Sequence, residues 1–256
     1  MTLSKLAKNS ETWNQWFAGL VDADGCLLIN SKGYMSLEVT MSILDEAALA
    51  AIKQKLEGSV KLRSKAGAFR YRLHHKTGML TALTKLNGLC QSSIRLVQLK
   101  KLCEKSSPTL LFIPPSPLTL DTAWFSGFFD GHGSLTYSFT RQWPQLIISV
   151  SNKNAENCGL FRQTFGGVIR FDKRSNTYKW EIYKKEAIFF FYNYLKKYPL
   201  RSHKKKRVSL IPKFFQLREI QAYSQLKETK TYKAWLLFEK KWNPEQFYQK
   251  NFLEKI

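Results

Sequence analysis

The stretch Phe17-Ala-Gly-Leu-Val-Asp-Ala-Asp-Gly25 recurs in altered form as Phe125-Ser-Gly-Phe-Phe-Asp-Gly-His-Gly133. Gly19 matches Gly127, Asp22 matches Asp130 and Gly25 matches Gly133, each 108 residues apart, and Trp16 and Trp124 precede the two copies. Each copy is an apolar run closed by a glycine, which reads as a helix with a C-terminal stop. Ala18, Gly19 and Ala23 in one copy, and Ser126, Gly127 and Gly131 in the other, carry little side chain. Two such helices can bring their backbones unusually close. Asp24 then sits at the negative end of a helix, which disfavours an acid. A breach of a local rule without visible compensation marks a functional candidate, and a bound cation would compensate it. Side by side, the helices set Asp24 next to position 132 at the bottom of a shared seam. Asp22 and Asp130 point about 160° away from that position and are expected to be structural.

Outward from the two copies, the same order of elements repeats. In the first half, Glu11 to Asp24 reads as helix. Leu27–Asn30 and Tyr34–Ile43 read as a hairpin, Leu44–Glu57 as an amphipathic helix closed by Gly58, and Ser59–Lys65 with Ala68–His74 as a second hairpin. Helices follow over Thr77–Leu86 and Ser92–Lys105, the latter with Ile94, Val97 and Leu102 as its apolar side. A connection from Ser106 to Pro117 holds four of the eight prolines and reads as extended linker. In the second half, Asp121–Asp130 is the helix. Leu135–Thr140 and Gln145–Asn152 pair across Gln142-Trp-Pro144, Asn154–Phe165 is helical, and Val168–Lys173 pairs with Tyr178–Tyr183. Ala187–Tyr198 and His203–Leu217 are helices. Tyr71 aligns with Trp180 and Lys76 with Lys185, 109 apart. The expected fold is α+β, with two pseudo-two-fold-related αββαββα halves. The expected arrangement is a saddle of antiparallel sheets with the motif helices packed at the central interface. The expected divisions are 1–105, a linker at 106–120, 121–219, and a helical extension at 220–256 whose lysines are solvated.

Forty-one Lys and Arg against nineteen acids give a net charge of +22. That excess points to a polyanion partner, nucleic acid before membrane. No apolar run is long enough to span a bilayer. Cys26, Cys90, Cys103 and Cys158 form no CxxC pair and read as reduced thiols. No calcium loop, zinc spacing, GxxxxGK[ST] loop or GxSxG elbow is present.

Strand alternation supplies candidate contacts. Lys61, Arg63 and Lys65 alternate with apolar residues, as do Arg70, Arg72 and His74. The second half offers Ser134, Thr136, Ser138, Thr140, Gln145 and Ser149, then Arg170, Lys173, Arg174 and Lys179. Basic residues grip phosphates and guanine edges, while hydroxyls and amides read other base edges. Glu38 on the same face suits only a cytosine amino group.

The paired motifs resemble the signature of the LAGLIDADG homing endonucleases and their maturase relatives in single-chain form, over roughly Trp13 to Tyr223. The resemblance implies a monomer that binds a long double-stranded DNA site, or structured intron RNA, with no membrane, in an organelle. It implies a divalent metal, Mg²⁺ with Mn²⁺ as the alternative, at Asp24, Gly25, His132 and Gly133. It implies Lys76 and Lys185, at the ends of the fourth strands, near the cleaved phosphates. Asn152 would orient water, with Ile43 as its first-half counterpart. The family has an acid where this chain has His132. A nitrogen ligand suits Mg²⁺ poorly. Three outcomes stay open: a non-cleaving binder with a maturase role, a nickase or slow enzyme using Asp24, or His132 as acid or base.

Overall fold

The computed structural model describes residues 3–63, 66–106, 108 and 110–243. Lys65 and the C-terminal end of the expected extension lie outside these residues. The first half runs α1 (Leu3–Asp24), β1 (Gly25–Ile29), β2 (Met35–Ser42), α2 (Glu46–Leu56), β3 (Ser59–Arg63), β4 (Ala68–Leu73), α3 (Lys76–Leu86) and α4 (Ser93–Lys105). The second runs α5 (Trp124–His132), β5 (Gly133–Thr140), β6 (Trp143–Asn152), α6 (Ala155–Phe165), β7 (Val168–Asp172), β8 (Thr177–Ile182) and α7 (Lys185–Lys197). Three more helices follow: α8 (Lys204–Ser209), α9 (Ile211–Glu219) and α10 (Lys230–Trp242). The fold is α+β with two four-stranded antiparallel sheets, ordered β1-β2-β4-β3 and β5-β6-β8-β7. No described helix is long and apolar enough to cross a membrane.

The chain divides into two compact units. Unit 1 comprises residues 1–134 and 147–202, and unit 2 comprises residues 135–146 with those from His203 on. In unit 1 the core is built from Trp16, Phe17 and Leu20 of α1, Trp124, Phe125 and Phe128 of α5, and Tyr71 and Trp180 on β4 and β8, all fully buried. Tyr71 pairs with Val39 and Val60 as Trp180 pairs with Val150 and Ile169, so the 109-residue repeat is a repeat of sheet register. After α2, Gly58 adopts φ +84, a left-handed conformation open to glycine, and ends the helix as expected. In unit 2, Tyr137 packs on Phe214, Trp235, Phe238 and Trp242, and its hydroxyl donates to Glu239 at 2.9 Å.

Four expectations change. The first motif helix begins at Leu3 rather than Glu11. The β5–β6 turn is the two-residue Arg141-Gln142, both at positive φ, which matches the twist of paired strands, so Trp143 and Pro144 already belong to β6. The helix expected over His203–Leu217 is two, α8 and α9, broken at Leu210, because Pro212 has no N–H with which to continue the ladder. On α4 it is Leu99, Leu102 and Cys103 that are buried, while Ile94 and Val97 are 55% and 58% exposed. The polar side of α4 explains this rotation. Arg95 donates to the Val21 carbonyl at 3.0 Å, and Gln98 accepts from the Leu27 amide at 3.3 Å. Capping the end of α1 turns Ile94 and Val97 outward.

Candidate functional site

The seam is a crossing of α1 and α5 whose backbones meet directly at Gly19 and Gly127. A β-carbon on Gly19 would meet the Trp124 carbonyl, and one on Gly127 the Trp16 carbonyl. Gly25 and Gly133 serve space rather than left-handed geometry. Gly133 is extended at φ −78, and a β-carbon there would strike Phe129.

Closeness lets each helix satisfy the other. Trp16 Nε1–H donates to Asp130 Oδ2 at 2.8 Å, and Trp124 Nε1–H donates to Asp22 Oδ2 at 2.7 Å. Asp130 also accepts from the Arg201 and Ser202 amides at 2.8 and 3.1 Å and from the Ser202 hydroxyl. Asp22 accepts from the Gln91 amide at 2.6 Å, but its Oδ1 has no hydrogen-bond partner. Burial raises both carboxyls above the ordinary range, Asp22 to about 7. The two aspartates are therefore structural, as their helical phase implied.

The asymmetry between them is testable. Asn at position 22 keeps an acceptor for Trp124 and Gln91, whereas Asn at 130 turns an NH₂ toward donors already aimed there. Asp130→Asn is expected to cost about 2–3 kcal/mol. Asp22→Asn should be nearly neutral at low pH and relatively stabilising at high pH. Between about pH 4 and pH 7 the folded Asp22 keeps a proton that the unfolded chain has lost. Parent stability therefore falls as pH rises through that window and levels off above it. Melting temperatures across that range check both statements, and a parent curve parallel to that of Asp22→Asn would refute the second.

At the helix ends, Asp24, His132 and Asn152 come together. Asn152 Oδ1 accepts from the Asn154 amide at 2.8 Å, which turns its NH₂ toward His132 Nδ1 at 3.1 Å. Nδ1 is then the acceptor, with hydrogens assigned from this network, and the ring proton lies on Nε2. Nε2 faces Asp24 Oδ1 across 3.2 Å. Phe128 holds the ring edge-on at 5.5 Å. Both side chains remain part-exposed, Asp24 at 26% and His132 at 30%.

A hard divalent ion at this pair would need a lone pair on Nε2, where the ring proton sits, together with the Asp24 oxygen 3.2 Å away. The pair as arranged does not fit such an ion, although Asp24 alone is a suitable oxygen donor. Among the described residues no three His, Cys, Asp or Glu side chains cluster as metal ligands. Asn152 lies on the helix-facing side of β6. The register aligns Ser151 opposite Lys179 with Thr40 opposite Arg70, so the first-half counterpart of Asn152 is Met41 rather than Ile43. Met41 is buried and offers no hydrogen bond of this kind. Lys76 and Lys185 are exposed and open α3 and α7; they do not end strands as expected.

On the sheets, Lys61, Arg63, Arg72 and His74 are exposed and Arg70 is half-buried. Ser134, Arg170, Lys173 and Arg174 are exposed and Lys179 is half-buried. In unit 2, Thr136, Ser138 and Thr140 are exposed and Gln145 is half-buried. Ser149 is a correction. It shares a face with Glu181, its cross-strand partner, but is 2% exposed, because a short side chain on an inner strand lies beneath its longer neighbours. Glu38 is also corrected. It is held by Arg70 at 3.2 Å and by Arg72, so its charge is met within the protein and no cytosine contact is needed. Glu181 is held in the same way by Lys179 at 2.9 Å and Arg170 at 3.8 Å. Sequence reasoning missed Glu181, although the alternation Lys179-x-Glu181 carried the signal.

Residues 125–215 match the model of the LAGLIDADG endonuclease family. An intron-encoded DNA endonuclease of Dictyostelium discoideum, ai2b, is 35% identical over 239 residues, 89% of this chain and 88% of that relative. The chain belongs to the LAGLIDADG endonuclease family. An intron-encoded RNA maturase of Saccharomyces cerevisiae, bI4, is 45% identical over 90% of this chain, and a probable intron-encoded endonuclease of Debaryomyces hansenii, aI2, is 37% identical over 95%. The chain spans only 36% and 40% of these two relatives. Two solved LAGLIDADG proteins share the fold, each with a TM-score of 0.64. I-AabMI, bound to uncleaved DNA, is 15% identical over 86% of this chain and 97% of that chain. I-LtrWI, bound to target DNA, is 14% identical over 92% of this chain and 98% of that chain. The second motif of this LAGLIDADG chain carries His132 where its first motif carries Asp24.

Proposed function

We propose that this chain recognises a long duplex DNA site in the manner of a homing endonuclease, and that the His132 side of its seam does not cleave. Residues 1–105 and 121–219 would act as its two reading halves, working as a monomer. One observation carries the binding reading. Lys61 stands directly opposite Arg70 on β3–β4, and Arg170 directly opposite Lys179 on β7–β8, the same position in both sheets. Like charges across a ladder are destabilising. Keeping such a pair in each half makes sense when a polyanion neutralises it, and Glu38 and Glu181 hold the arrays in place meanwhile. The DNA endonuclease relatives and DNA-bound neighbours support duplex DNA as that polyanion.

Asp24 would hold a divalent ion, Mg²⁺ or Mn²⁺, alone. When bound, such an ion activates water and stabilises charge on phosphate. Cleavage is then confined to at most one strand. A second reading, an intron maturase that binds structured RNA without cutting, is favoured by the 45% identity to an RNA maturase. An organelle as the compartment belongs to the same proposal.

Fluorescence anisotropy against duplex DNA of the intronless allele and against the intron RNA tests the reading. Lys61→Ala with Arg170→Ala is expected to weaken binding across sequences and to lower the salt slope by about 2. An unchanged slope would remove the sheets from the interface. Tight binding of the RNA with none of the duplex would favour the maturase.

A further inference from the structure

Unit 1 holds a feature that duplex recognition leaves unused. A cavity of about 630 Å³ opens where the β1–β2 turn, the end of β4, the start of α3 and the end of α4 meet. Met35 and Leu80, backed by the fully buried Met79, give it an apolar wall, and Tyr34, 67% exposed, stands at its edge. Lys76 and Lys105 supply its cationic part. The cavity is not isolated. A second hollow, lined by Ser36, Glu38 and Arg72, shares Tyr34, Met35 and His74 with it, and a third, lined by Lys61, Arg63 and Arg70, shares His74 with both. The three hollows therefore share walls, running from the basic residues of β3 and β4 past His74 to the apolar chamber.

The volume falls in the range of about 300–1,000 Å³ that encloses small ligands. Soft thioether and leucine walls beside a tyrosine suit the face of a nucleobase, and the two lysines suit its phosphate. A paired base is sealed in its stack and cannot enter such a chamber. We propose that the cavity takes an unpaired nucleotide of the bound nucleic acid, its base beside Tyr34 and its phosphate between Lys76 and Lys105. This rests on the nucleic-acid reading above and extends it to a single-nucleotide subsite.

The test compares three labelled probes by anisotropy: a fully paired DNA duplex, the same duplex with one bulged nucleotide, and a single-stranded RNA. Tyr34→Ala removes the exposed ring, and Leu80→Trp fills the chamber. Thermal melts check that each variant folds, and Tyr34→Ala, being a surface change, carries the test if Leu80→Trp does not fold. Each variant is expected to weaken binding of the bulged duplex, the RNA, or both by about tenfold, and to leave the paired duplex within about twofold. Which of the two probes responds identifies the source of the nucleotide. Equal losses on all three probes, or no loss on any, overturn the subsite and leave the wider reading standing. A parent protein that binds none of the probes overturns both.

Discussion

Gly127→Ala is expected to cost more than about 4 kcal/mol of folding stability and to lower the melting temperature by about 10 °C or more. Adding a methyl to a core usually costs about 1–3 kcal/mol, because neighbouring side chains shift to receive it. Here nothing can shift. The new carbon would meet the Trp16 carbonyl oxygen and stand 2.7 Å from its carbon and 2.9 Å from the Leu20 amide nitrogen, all of them backbone of the partner helix. Relief requires the helices to separate, and separation stretches Trp16–Asp130 and Trp124–Asp22, leaving buried carboxyls short of donors. Gly159→Ala is the control. It lies within α6 with open space where its β-carbon would go, so the same substitution is expected to stabilise by up to about 1 kcal/mol. Differential scanning calorimetry of the pair decides the matter. Equal melting temperatures for the two variants would mean that the seam is looser than the backbone distances show.

His132→Asp is expected to change chemistry more than any other single substitution. It removes the imidazole nitrogen 3.2 Å from Asp24 and places a second oxygen ligand at the seam. Two facing carboxylates repel without a cation, so the variant should melt below the parent in chelator and recover with Mg²⁺. Supercoiled plasmid carrying the intronless target should be linearised by the variant with Mg²⁺, whereas the parent goes no further than the nicked circle. Asn152→Ala separates the contributions. It frees His132 Nδ1 without adding an oxygen ligand, and should leave the parent's failure to linearise unchanged. Linear product from the parent itself would show that a histidine at this position is compatible with double-strand cleavage.

Much of the fold was legible because it is written twice. Two registers of small residues, 108 apart, announced the helix pair, and period-two alternation placed Arg72 and Lys61 on an open face. Ile94 and Val97 were misread because an apolar stripe on α4 is indistinguishable from a core stripe until Arg95 is seen to cap α1. Ser149 was misread because alternation sets a face but says nothing of the length of the neighbours on it.

The sequence by itself determined the duplication, the α+β order, the large cationic excess and the histidine at position 132 where the first copy has Asp24. These rest on composition, spacing and chain-local periodicity, which need no third dimension. Only the tertiary structure decided that Trp16 and Trp124 exchange hydrogen bonds with Asp130 and Asp22 across the seam. Only it showed that Asn152 meets His132 beside Asp24, that Glu38 and Glu181 are met by basic neighbours, and that three hollows share His74 as a lining residue. Each of these joins residues far apart in the chain, and the geometry of such a meeting is set by how elements pack rather than by any local preference.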